Sequence, residues 1–397
     1  AKAAKRAGAA AASKKAAKAS ASAVEGVGKG AVEAAQRHDE FVLEDAVKGR
    51  WAAGKPVPFE LLADTFEEIA ETSRRLDIVL LLINCFRAII ATTPEDLLPA
   101  VYLCTNRVAP AHHGIELGVG DSTIFKAIAA ATGRTEARIK EQAMVDGDLG
   151  IVAVKLRATQ RTLGMSARLT VRGVVKAFKD VALASGKASQ KVKEGFIVKM
   201  LVASKGNEPG YVIRFAQAKL RIGLAEQSVL TALAHAVHLQ LRGAGGAGSN
   251  KDGQLANRLE AAAQMVKQAY SECPAYDVLI PALLAHPMEE LPAHVHFMPG
   301  VPVRPMLAKA TNGVTEVLDK FQDQQFTCEY KYDGERAQVH VLDDGSVRIY
   351  SRNSENNTGK YPDIVSRMKT ALKPGVKSIV IDAEAVAWDV EKKKILP

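Results

Sequence analysis

Glu329-Tyr330-Lys331-Tyr332-Asp333-Gly334-Glu335-Arg336 is the most informative stretch of this 397-residue chain. The run 326–332 reads as a buried strand that ends on a lysine, followed at once by a glycine turn and an arginine. That arrangement suits a nucleophilic lysine. An amine attacks only after losing its proton, and the ordinary lysine pKa is about 10.4. A nearby cation such as Arg336, partial burial and a bound metal each favour the neutral amine. Gly334 allows a tight turn and a close backbone approach to a ligand.

Reading outward, 337–342 and 347–352 form strands on either side of Asp343-Asp344-Gly345, a hairpin turn. A helix is expected over 362–372 and a buried strand over 378–388. The C-terminal part is therefore α/β in character. Ser351-Arg352-Asn353 ends a strand with a cation able to bind phosphate. Asp382-Ala383-Glu384 puts two acids on one face of an apolar strand. Carboxylates there are costly unless they serve a cation, a metal or a sugar hydroxyl.

Upstream, from about 36 to 290, the periodicity is helical. Phe59, Leu62, Phe66 and Ile69 make one face of an amphipathic helix. Ile78, Val79, Leu82, Ile83, Phe86, Ile89 and Ile90 make a more deeply buried one. Thr93-Pro94-Glu95-Asp96 reads as a helix start with Thr93 as cap, and Asp121 as the cap of a helix that Gly133 ends. Residues 243–253 read as a flexible surface loop, and the prolines at 287, 292, 299, 302 and 305 as the domain boundary.

Composition narrows the class. The chain is 47% hydrophobic and 24% charged, which excludes a wholly disordered, collagen-like or disulfide-scaffold protein. Cys85, Cys104, Cys273 and Cys328 show no CxxC spacing, which fits a reducing compartment. The longest aliphatic run, 78–83, is too short to span a membrane. The net charge of +9 is unevenly spread. Residues 1–30 hold seven Lys/Arg against one Glu, and thirteen alanines that leave little apolar surface to offset ordering. A disordered basic tail over 1–35 follows. Residues 155–221 hold fifteen Lys/Arg, among them Arg161, Lys219 and Arg221, against three acids. A single-sign band of this size points to a phosphate backbone.

Other motifs fail. Thr123 stands where Gly118-Val119-Gly120 would need a third glycine. Ser249-Asn250 replaces the Lys-Ser/Thr of a Walker loop, and Arg157 the glutamate of a calcium loop starting at Asp146. His112-His113 and His294-Val295-His296 lack partners at metal-ligand spacing and read as structural or exposed histidines.

The segment around Lys331 resembles the first motif of the covalent nucleotidyltransferases, KxDG with a following arginine. Arg352 resembles the second motif (SRN) and Glu384 the third (DAEAVAWD). Capping enzymes and RNA ligases share this pattern. Leu220-Arg221-Ile222-Gly223-Leu224-Ala225-Glu226-Gln227, Gly147-Asp148-Leu149-Gly150 and Glu116–Asp121 are similar to the helical DNA-binding domain of ATP-dependent DNA ligases, particularly the eukaryotic replicative ones.

The resemblance implies a multidomain protein: an all-α DNA-binding domain over 36–298, then an incomplete α/β nucleotidyltransferase (ATP-grasp-like adenylation) domain over 299–397. It implies ATP and Mg2+ as cofactors and Lys331 as the nucleophile that carries AMP. Glu329 would contact adenine, Arg336 the ribose or phosphate side, and Arg352 phosphate. Glu384 would bind the ribose or magnesium, and Asn353 the DNA end. Lys219, Arg221 and Gly223 would grip the minor groove. The implied partner is nicked double-stranded DNA, with a sliding clamp bound through a segment not present here, no membrane, a monomeric state and a nuclear location. The chain starts at Ala1 and stops at Pro397 without the later motifs or an OB-fold, so it reads as a piece that does not seal nicks alone. The alternatives are another covalent nucleotidyltransferase, which leaves the basic band unexplained, and a non-catalytic DNA-binding module, which leaves Lys331, Arg336, Arg352 and Glu384 unexplained.

Overall fold

Hydrophobic stripes build the first part of the chain. Phe59, Leu62, Phe66 and Ile69 are all buried on one helix, Phe59–Glu71. The Arg75–Thr92 helix buries Ile78, Leu82, Ile83, Phe86 and Ile89 and packs on Glu226–Val237, whose Val229, Leu230, Leu233 and Val237 are likewise buried. The computed structural model describes residues 28–159, 167–242, 252–305, 310–322, 324–329 and 331–396. These form two compact units. The first is helical and runs to His294. The second begins at Val295 and takes in Pro110–Gly114 and Ala269–Ala275. No described helix is long and apolar enough to cross a membrane.

Several local expectations change. The basic tail cannot extend to residue 35, because Lys29–Arg37 is a helix with Ala31, Ala34 and Ala35 buried. Residues 1–27 lie outside the described residues, as does most of the 243–253 loop. Thr93 does not cap its helix; its hydroxyl donates to the Lys55 carbonyl at 2.7 Å. Asp121 is the first helical residue rather than the cap, and accepts from Gln217 at 3.3 Å. Gly133 does end that helix, in the left-handed region at φ 65°.

The second unit is built around a three-stranded antiparallel sheet: β1 (Glu335–Val341), β2 (Val347–Tyr350) and β3 (Ile379–Ala385), in the order β2-β1-β3. The hairpin forms as expected, with Gly345 at φ 76° and its N–H donating to the Leu342 carbonyl. Alternation sends Ala337, Val339 and Val341 to one face, where Ile364, Val365 and Met368 of the Pro362–Ala371 helix cover them. Gln338 and His340 point the other way and are also buried.

The proline-rich stretch covers that second face. The Gly300 N–H donates to His340 Nδ1 at 2.9 Å. Val303 donates its N–H to Gln338 Oε1 and accepts from Gln338 Nε2. Tyr350 donates its hydroxyl to the Gly300 carbonyl at 2.8 Å. Residues 299–305 are thus a packed layer of the second unit. The expected strand over 326–332 does not form among the described residues: 324–329 and 331–333 have no regular structure and are exposed. The expected buried strand over 378–388 is β3, but it is only half-covered.

Burial lowers the His340 pKa to about 4, so the folded ring is neutral at neutral pH. Unfolded histidine titrates near 6.5, so the unfolded chain takes up the extra proton between those values. Stability should therefore fall as pH drops from about 6.5 toward 4. This residue's share is roughly 2 kcal/mol between pH 8 and 5. His340→Asn, whose amide oxygen can still accept from Gly300, should flatten that dependence in urea unfolding. Parallel pH profiles for the two proteins would refute it.

Candidate functional site

Antiparallel pairing brings the predicted residues to one end of the sheet. β1 starts where β2 and β3 both finish. Lys331 precedes the start of β1, Arg336 is its second residue, Arg352 and Asn353 follow the end of β2, and Glu384 is the penultimate residue of β3. Residues spread over 54 positions of sequence thus lie toward one end of the sheet.

Arg336 lies opposite Glu384 in the ladder. Its guanidinium reaches diagonally to Asp382, with Nε 2.8 Å from Oδ1 and a second bond to Oδ2. This bidentate fork fixes the arginine plane. Asp382 is committed to Arg336, whereas Glu384 is exposed and makes no ion pair among the described residues.

Gly334 stands at a close backbone approach. A Cβ there would stand 2.4 Å from the Ala385 carbonyl oxygen and 2.9 Å from Val386 Cγ1. The glycine is required because the start of β1 touches the end of β3. Lys331 is exposed and outside regular structure rather than buried at a strand end, and Glu329 is likewise exposed. An open cleft of about 1190 Å³ adjoins this end of the sheet, lined by Asp333, Gly334, Glu335, Tyr361, Arg367 and Glu384. Tyr361 donates its hydroxyl to Glu335 at 2.7 Å, and that bond together with burial pushes the tyrosine up to about 12. At the other edge, Ser351 braces the turn that presents Arg352. Its hydroxyl bonds Glu355 at 3.0 Å and accepts from the Asn353 N–H at 3.2 Å.

In the first unit, the loop joining Glu208–Ala216 to Glu226–Val237 carries Lys219, Arg221 and Gly223. Arg221 and Gly223 both sit in the left-handed region, at φ 57° and 66°. The conformation is costly for arginine and is held by side-chain bonds. Arg221 donates to the Gly147 carbonyl at 2.9 Å and pairs with Asp148 at 3.4 Å. Asp148 also caps the Leu149–Ala158 helix through the Ile151 N–H and binds Arg214 at 3.3 Å. The two sequence stretches around residues 147 and 221 are thus one structural node. Gly150 and Gly210 permit it, since a Cβ on Gly150 would meet the Gly210 carbonyl at 2.9 Å.

The basic band is less free than its charge suggests. Lys155 pairs with Asp146, Arg168 with Glu60, Arg172 with buried Asp96, and Lys176 with Asp180. Lys193 is buried and donates to the Leu117 and Gly118 carbonyls. Arg161 lies outside the described residues. Lys187, Lys191 and Lys219 are exposed and make no ion pair among the described residues.

Comparison with known proteins settles the family. A family model described as "DNA ligase N terminus" matches residues 58–234, and one described as "ATP dependent DNA ligase domain" matches 305–397. The chain belongs to the ATP-dependent DNA ligases. It is 48% identical to DNA ligase 1 of Arabidopsis thaliana over 87% of this chain and 43% of that protein. It is 45% identical to DNA ligase 1 of Drosophila melanogaster, over 87% and 46%. A DNA ligase of Ignicoccus hospitalis is 33% identical, over 84% and 53%. The chain spans about half the length of the curated relatives it matches.

In this ligase-family chain, the first match contains the Asp148–Arg221 node and the second contains the sheet end with Lys331. Sequence reading missed Asp382 as the partner of Arg336, although its offset of two from Glu384 placed both on one strand face. It also set His294 aside, and the structure gathers it with His286 and Glu290. The signal was available as histidine, glutamate and histidine at four-residue steps.

Gly334→Ala should force β1 from β3 and destabilise the second unit by roughly 1–3 kcal/mol. Urea unfolding measures this. An unchanged midpoint would mean that the strand ends do not touch.

Proposed function

We propose that this chain is the DNA-binding part and front catalytic part of an enzyme that seals nicks in duplex DNA. The gathering of Lys331, Arg336, Arg352 and Glu384 at one sheet end carries the reading. These residues supply a nucleophile, two cations and a carboxylate, the set that phosphoryl transfer to an amine requires. The architecture intended is the nucleotidyltransferase fold, with the helical unit as the DNA-binding domain and ATP as the adenylate donor.

Lys331 Nζ, once deprotonated, attacks the α-phosphorus of ATP. The nitrogen–phosphorus bond forms as the bond to the β-phosphate oxygen breaks, and pyrophosphate leaves. AMP then passes from Lys331 to the 5′-phosphate of the nick. The 3′-hydroxyl attacks that phosphate, closes the backbone and expels AMP. Glu329 contacts the adenine, Arg336 stays oriented by Asp382 beside the ribose and phosphate, and Arg352 neutralises phosphate charge. Asn353 meets the DNA end. Glu384 fits a hard oxygen-seeking cation, because it is an exposed carboxylate not already held by an arginine. Glu384 would hold magnesium, which when bound would supply charge neutralisation on the phosphates. Nicked DNA is the substrate, in the nucleus, with the protein acting as a monomer and a sliding clamp recruited through a segment not present in this sequence.

In a polypeptide extended to the relatives' full length, ATP labelled at the α-phosphate should label Lys331, and Lys331→Arg should abolish both label and sealing. Label on another residue, or sealing by that variant, overturns the proposal. The DNA face has a separate test. Nicked-duplex affinity should fall steeply with salt, and Lys219→Glu should weaken it and reduce the salt slope by about one counterion. The melting temperature should stay unchanged. Arg221→Glu should weaken binding and also lower the melting temperature, because it places a second carboxylate against Asp148. Binding unaffected by Lys219→Glu would move the interface elsewhere.

A further inference from the structure

At the end of the first unit, three side chains with metal-binding chemistry converge. His286 follows the Tyr276–Ala285 helix, Glu290 ends the short Met288–Glu290 turn, and His294 ends Leu291–His294. Their donor atoms all lie within 4.8 Å of one another. The two imidazole rings are parallel within 10°, with centroids 3.6 Å apart. His286 is half-buried, whereas Glu290 and His294 are exposed, so an ion has a path in from solvent.

The backbone holds the group in place. The segment turns at His286-Pro287 and resumes as helical turns, so residues 286, 290 and 294 stay on one side. The other side is anchored in the core through Leu283, Met288 and Leu291, each about fully buried. A tetrahedral ion with bonds of about 2.0–2.2 Å needs donors roughly 3.3–3.6 Å apart. Because ring-nitrogen lone pairs lie in the ring planes, one imidazole must turn out of the parallel stack to meet the ion, and the exposed His294 is the one placed to do so. Two neutral imidazoles and one carboxylate form a borderline donor set. It favours Zn2+ and its neighbours over Mg2+ or Ca2+, which seek mainly oxygen.

We propose that His286, Glu290 and His294 form a binding site for a divalent transition ion of the zinc class. Three protein ligands leave the fourth position to water or to a group from outside the chain. The site lies in the helical unit, on residues distinct from Lys331, Glu384 and the sheet end. Ion binding ties three successive short elements together just ahead of Val295, where the second unit begins.

The test uses the whole chain, stripped with EDTA and titrated with Zn2+ against a chromogenic zinc indicator. Co2+ is added in a parallel titration to read coordination geometry from its visible absorption. One equivalent should bind with a tetrahedral Co2+ spectrum. The paired substitution His286→Ala and His294→Ala should weaken that equivalent by at least about 100-fold, and Glu290→Gln by at least about tenfold. His112→Ala with His113→Ala should leave it intact. Circular dichroism checks folding. If the paired variant unfolds, His294→Ala and Glu290→Gln, both at exposed positions, carry the test. No bound equivalent in the unaltered chain, or binding unchanged in the His294 and Glu290 variants, overturns the proposal.

Discussion

The second unit depends on a strand that is covered on both faces. β1 gives its apolar residues to the Pro362–Ala371 helix and its polar ones, Gln338 and His340, to the 299–305 segment. A buried amide and a buried imidazole are tolerable only when bonded, and backbone groups of Gly300 and Val303 supply those bonds. Because β1 is central and antiparallel to both neighbours, its start defines the sheet end toward which Lys331, Arg336, Arg352 and Glu384 lie. Gly334 sets how closely that start approaches β3. Packing of the strand and placement of the chemistry are one problem here.

Much of this was legible in the sequence, where the signal was local and periodic. The Phe59–Glu71 and Arg75–Thr92 helices, the hairpin at Gly345 and the Pro362–Ala371 helix all follow from spacing and turn residues. The strand over 326–332 was not legible. Its alternation of Phe326, Cys328 and Tyr330 suits a pleated surface, but a strand exists only through a pairing partner remote in sequence, and the described residues there have none. Thr93 illustrates the same limit. Its local capping pattern is overridden because Asp96 is drawn to the Val57 N–H at 2.7 Å and to Arg172 at 2.5 Å.

The site shows a similar division. Motif spacing named Lys331, Arg336, Arg352 and Glu384, and strand direction puts them at one end. Their electrostatic partners were not readable, since Asp382 meets Arg336 across 46 positions. Charge summed along the chain misleads for the same reason. The acids that neutralise Arg168 and Arg172 are Glu60 and Asp96, 108 and 76 residues upstream.

The clasp at Asp148 has an entropic consequence. One carboxylate holds a helix start, Arg214 and Arg221, and so immobilises the loop between residues 216 and 226 when the unit folds. Ordering a loop of this length costs on the order of 1–2 kcal/mol per residue of backbone freedom. That cost falls on folding, not on any later encounter. A surface whose backbone is already ordered can spend its contact energy on affinity, and it presents the backbone at Lys219 in one geometry to whatever arrives.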